Sequence, residues 1–96
     1  MTGASLRADL EAAAAEELAR ALTLDWRQLS AQAPWGDSYE GFTPLGRSVT
    51  FERNYLWEDE PGGDIRIEVT VFEAKAFEEG AHASCVIGPP QSGADE

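Results

Sequence analysis

Over the first third of the chain, apolar residues recur at helical spacing. Leu6, Leu10, Ala14, Leu18, Ala21 and Leu22 fall on one stripe, while Arg7, Asp9, Glu11, Glu16, Glu17 and Arg20 fill most of the remaining circumference. This spacing predicts a helix over residues 5–22, with Ser5 as its N-cap and Ala12 to Ala15 as its strongest helix formers. The stripe continues through Trp26, Leu29 and Ala33. That continuation is either the same helix running to about residue 32 or a second short helix capped by Thr23. Thr23 and Asp25 favour caps over helix interiors, so a break is preferred, and Pro34 ends the pattern in both cases.

From Arg47 the period changes to two. Val49, Phe51, Arg53, Tyr55 and Trp57 share one face of a strand, and Ser48, Thr50, Glu52 and Asn54 share the other. After the turn Glu58-Asp59-Glu60-Pro61-Gly62-Gly63-Asp64 the alternation resumes, with Ile65, Ile67, Val69 and Val71 opposite Arg66, Glu68 and Thr70. Two alternating runs about a Pro-Gly-Gly turn predict a hairpin, whose register the pattern leaves open; were Trp57 paired to Ile65, then Tyr55 would face Ile67, Arg53 Val69 and Phe51 Val71. A further turn at Glu78-Glu79-Gly80 leads to a third strand over 81–87, with Ala81, Ala83, Cys85 and Ile87 inward. Residues 34–46, dense in Gly and Pro, read as a structured loop with room for a short strand near Tyr39–Thr43. The expected fold is α+β: an N-terminal helix, or two, packed on one face of a three-stranded antiparallel β-meander. One domain over residues 1–90 is expected, with 91–96 as a disordered tail.

Composition narrows this picture. The 96 residues hold 15 alanines but only 19 Leu, Ile, Val and Phe, so the core is thin, and the aromatics supply much of what it can bury. The formal net charge is −11. Such a charge repels nucleic acid and anionic membranes, so direct binding to either is not expected. No apolar run is long enough to span a bilayer, and no secretory leader is evident; a single cysteine precludes an internal disulfide, which favours a cytoplasmic location. Four of the acidic charges crowd into residues 58–64, the one concentrated negative site.

Candidate chemistry is sparse. Cys85 is the only cysteine and His82 the only histidine; three residues apart in a strand, they face opposite ways and do not make a metal or nucleophile pair. No phosphate-cradling or dinucleotide motif is present. No cofactor, metal or catalytic residue is therefore expected. Arg53 stands on the apolar face of its strand with no acid opposite it in the hairpin. It either snorkels to the edge or pairs with a helix carboxylate such as Glu17, or else it anchors an anion in a cleft between helix and sheet.

The leading expectation is a small acidic, non-enzymatic interaction module, an adaptor, accessory factor or inhibitor, that docks on a basic protein surface. Nucleic-acid mimicry is its sharpest form. Glu58, Asp59, Glu60 and Asp64 would steer the encounter, and Trp35 and Tyr39 would supply affinity. The alternatives are a small-ligand binder or minor enzyme using Arg53, and a homodimer formed through a sheet edge.

Overall fold

The computed structural model describes residues 3–73 and 76–90, with the side chains of 6–73 and 80–90. The tail expected over 91–96 lies outside the described residues. Helix α1 (Gly3–Ala21) and helix α2 (Trp26–Gln32) precede four strands: β1 (Gly36–Phe42), β2 (Ser48–Trp57), β3 (Ile65–Glu73) and β4 (Ala76–Ile87). The strands form one antiparallel sheet in the order β1-β2-β3-β4. The α+β class and the meander are as the periodicity predicts, with a fourth strand added.

The two helices separate where cap-forming residues cluster. Thr23 ends α1 by donating its hydroxyl to the Arg20 carbonyl at 2.7 Å. Asp25, not Thr23, caps α2: its carboxylate accepts from the Gln28 amide, and the Gln28 side chain accepts from the Asp25 amide, both at 2.9 Å. This reciprocal box satisfies donors that a seven-residue helix would otherwise leave open.

The core lies between α1 and the sheet. Ile65, Ile67, Val69 and Val71 of β3 are wholly buried, and Leu10, Ala13, Ala14 and Ala21 of α1 close over them with Leu29, Val49, Phe51 and Tyr55. The alanines let α1 approach closely, and it lies above β3 and β4. The hairpin, whose register the sequence left open, pairs Trp57 with Ile65 through Phe51 with Val71. One buried face excludes a slip of one residue, since it would turn every core side chain outward.

Besides the Thr23 cap, and Ser5, which lies inside α1 rather than capping it, two expectations need correction. Residues 36–42, read as mostly loop, form the complete edge strand β1, paired along its length with β2. Glu78-Glu79-Gly80 is not the turn into the last strand but part of β4, which already begins at Ala76. Between the pairs Val71–Ala81 and Glu73–Ala76 the β4 side carries three more residues than β3, a bulge whose acidic and glycine content imitates a reversal.

Candidate functional site

Two carboxylates of α1 are buried on the flank that faces β1 and β2. Glu17 sits seven residues after Leu10 and so shares its face; it is 1% exposed. Its Oε1 accepts from Tyr39 Oη at 2.5 Å and from Arg20 at 2.6 Å, and its Oε2 accepts from Arg53 at 3.1 Å. Burial pushes this carboxyl up, but the hydrogen bonds from Tyr39 and Arg20 and the nearby guanidinium charges outweigh it and leave the pKa below the usual glutamate value. Asp9 does the same work two turns earlier. It accepts from Thr43 Oγ1 at 2.5 Å, from the Leu45 amide at 3.2 Å and from Arg47 Nε at 3.2 Å, tying the β1–β2 loop to α1. There too burial raises the pKa, and the three hydrogen bonds bring it below the usual aspartate value.

Arg53 stands at the centre of this arrangement. It points to the helix side of the sheet and meets Glu17, one of the two structural outcomes expected of it. The hairpin indeed offers no acid opposite it, but β1 does. Asp37 is its direct cross-strand partner and takes a two-pronged bond, Nε to Oδ1 at 2.8 Å and Nη2 to Oδ2 at 2.5 Å. The guanidinium also lies 5.1 Å from the centre of the Tyr39 ring, which stacks on Phe51 with centroids 5.0 Å apart. Hydrogen bonding to Asp37 foremost holds Arg53 more firmly protonated than an ordinary arginine, and Asp37 in turn is held below its usual pKa.

The acidic turn is less uniform than its sequence. Glu58 is not a free carboxylate: Arg66 reaches back and holds both its oxygens at 2.7 Å. Asp59, Glu60 and Asp64 are exposed and form no ion pair among the described residues. The tip is braced. Gly62 takes a left-handed φ of 92°, the Gly63 amide donates to the Glu60 carbonyl at 3.1 Å, and Trp26 Nε1 of α2 donates to the Gly63 carbonyl at 2.9 Å.

The same selectivity runs through the molecule. Among the described residues, Arg7, Arg20, Arg47, Arg53 and Arg66 are all engaged by carboxylates, leaving Arg27 as the arginine without a salt bridge. The positive charge is used within the fold. Glu40 and Glu52, on the sheet face away from the helices, and the three tip carboxylates form no ion pair among the described residues.

At the tip end of the sheet two further features meet. Trp35 is 73% exposed; its carbonyl accepts from the Tyr55 amide at 3.1 Å, which fixes it about 10 Å along β2 from Glu58. Beside it a shallow groove of about 300 Å³ is lined by Gly36, Asp37, Ser38, Glu52 and Asn54. Gly36 lines the groove, and a Cβ there would run into the Arg53 carbonyl. Tyr39 lies further along β1, with its hydroxyl committed to Glu17. Of the residues singled out in the sequence, the structure thus brings Asp59, Glu60, Asp64 and Trp35 to one end, and places Tyr39 and Arg53 in the network beneath β1.

His82 and Cys85 lie on opposite faces, His82 against Thr70 and Cys85 against Ile67. No cluster of three or more His, Cys, Asp or Glu able to hold a metal occurs among the described residues, and no helix among them is long and apolar enough to cross a membrane. The sequence reading overlooked Asp9 as a buried anchor, Asp37 as the partner of Arg53, and the groove. A helical wheel already places Glu17 among Leu10, Ala13, Ala14 and Ala21; Asp37 carried no such signal, because β1 was not read as a full strand.

No protein-family model matches the chain, and neither a curated protein nor a solved structure does.

Proposed function

We propose that this protein is a small, non-enzymatic interaction module that docks, by the tip end of its sheet, on a basic surface of a protein partner. The observation that carries the reading is the asymmetry of its ion pairs. Among the described residues five arginines are paired with carboxylates, while Asp59, Glu60 and Asp64 project from a braced turn without an ion pair. Fixed, exposed carboxylates accelerate encounter with a basic partner and set its orientation. Trp35 beside them offers a large apolar surface suited to anchoring the complex once formed. The adjoining groove, with the Glu52 carboxylate, the Asn54 amide and the Ser38 hydroxyl on its walls, suits the cationic head of a lysine or arginine from the partner.

In its sharpest form the module occupies a nucleic-acid-binding protein, its carboxylates standing where phosphates would lie. The test is capture from native extract on immobilised wild-type protein and on a D59N/E60Q/D64N variant. Basic proteins are expected on the wild type and not on the variant, and they are expected to elute at about 0.5 M salt, where exposed charges are screened within a few ångströms. Equal capture by both proteins, or capture indifferent to salt, overturns the reading. Competition between captured proteins and duplex DNA then separates mimicry from docking elsewhere on the partner.

A further inference from the structure

The two ends of the sheet are built differently. Edge strand β1 carries Asp37 and Glu40 and is interrupted by Gly36 and Gly41, features that discourage pairing with another chain. Edge strand β4 has no such protection over residues 81–87, Ala-His-Ala-Ser-Cys-Val-Ile: no acid, lysine, arginine, glycine or proline interrupts it. In a chain of net charge −11 this is the stretch where two copies approach without opposing carboxylates.

Hydrogen-bond parity shows what β4 offers. The Glu58 amide bonds the Asp64 carbonyl, and bonded pairs recur every second residue in an antiparallel ladder. Arg66, Glu68, Thr70 and Phe72 of β3 therefore bond towards β2, and Ile65, Ile67, Val69 and Val71 bond towards Ile87, Cys85, Ala83 and Ala81. The amides and carbonyls of His82, Ser84 and Val86 point away from the sheet.

The helix above this edge matches it. Ala15, Leu18 and Leu22 follow spacings of three and four, and Leu22 lies about 140° around α1 from both Asp9 and Glu17, the residues that face β1 and β2. The apolar stripe therefore overhangs the β4 side, where Leu22 is left 38% exposed. The neighbouring charges, Arg7 and Glu11, pair with each other.

We propose that the β4 edge pairs with the β4 edge of a second copy of this chain, antiparallel about a two-fold axis at Ser84. This register sets the whole uncharged run against itself: Ser84 faces Ser84, His82 faces Val86, Ala83 faces Cys85 and Ala81 faces Ile87. It turns the outward groups of His82, Ser84 and Val86 towards those of the second copy and makes one continuous eight-stranded sheet. Because α1 lies over β3 and β4, the two-fold brings the two α1 helices to about 10 Å apart, the usual packing distance of neighbouring helices. Their Leu18 and Leu22 stripes then add apolar area to a ladder that alone would be small for a stable dimer. The acidic tip and Trp35 belong to the β1–β2 side and the turn, so the pairing is independent of the docking reading above.

Sedimentation of the full chain from about 1 to about 200 µM tests the proposal, since the interface is expected to have micromolar affinity. The wild type is expected to rise from the mass of one chain to that of two. Ser84→Pro removes an outward N–H and no bond to β3, so it is expected to keep the far-UV spectrum and melting temperature while raising the dissociation constant at least about tenfold. Ser84→Lys, free of proline's backbone constraint, sets two like charges face to face and is expected to do the same; mixing it with Ser84→Glu restores a dimer. A wild type that stays monomeric at the highest concentration, or a Ser84→Lys variant that dimerises as well as the wild type, overturns the proposal.

Discussion

Glu17 does more than its position on an alanine-rich helix suggests. A carboxylate 1% exposed is tolerated only because Tyr39, Arg20 and Arg53 together satisfy it. Glu17→Ala leaves the Tyr39 hydroxyl and one side of Arg53 without a partner. We expect a loss of about 2 kcal/mol, since Asp37 still holds the guanidinium and Arg20 is largely solvated. In thermal unfolding this is a fall on the order of 10 °C. Glu58→Ala, which breaks a solvent-screened pair with Arg66, is expected to leave the melting temperature almost unmoved. Asp9 and Glu17 also set the response to acid. Their folded pKa values lie below the ordinary ones, so their stabilisation is complete above the ordinary carboxylate range and is lost as pH falls through the lower, folded values. The urea midpoint is expected to stay level from pH 7 to about 5 and to drop below about 4. An Asp9→Asn/Glu17→Gln double variant, weaker at neutral pH, is expected to lose much of that acid slope, with Asp37 keeping part of the remainder; an unchanged slope would remove both residues from this role.

At the scale of elements, the sequence was most legible where one face is buried. The alternation in 49–57 and 65–71 marked β2, β3 and their inward faces, but left their register open, because a slip of two residues would keep every core side chain inward. It was least legible in β1. Gly-Asp-Ser-Tyr-Glu-Gly-Phe buries little and shows no apolar alternation; it is a strand because β2 presents a free edge and because Asp37 meets Arg53. The charge pattern marked the tip correctly as the acidic concentration, yet could not show that Arg66 neutralises Glu58, since Arg66 reads as an ordinary outward strand position. Bracing of that tip depends on α2. Trp26→Phe keeps the packing against Trp57, whose ring centre is 6.2 Å away, and deletes the bond to the Gly63 carbonyl. A cost of about 1 kcal/mol is expected, with faster amide exchange confined to residues 59–64. Exchange unaffected there would show that the turn needs no support from the helix.

For the whole molecule, a net charge of −11 is an unspecific property until its partners are traced. Among the described residues five of the arginines are paired with carboxylates, three of them half-buried, so the unpaired surface charge is chiefly acid. The docking account rests on where that acid lies rather than on its amount. The most direct measurement compares two variants of equal net charge, D59N/E60Q at the turn and E11Q/E16Q on the outer side of α1, for binding to one captured basic protein as salt is raised. The account predicts that the turn variant binds at least about tenfold more weakly with a shallower salt dependence, while the helix variant stays close to the wild type. If both variants lose affinity equally, the attraction is to total charge, and the turn is not the docking site.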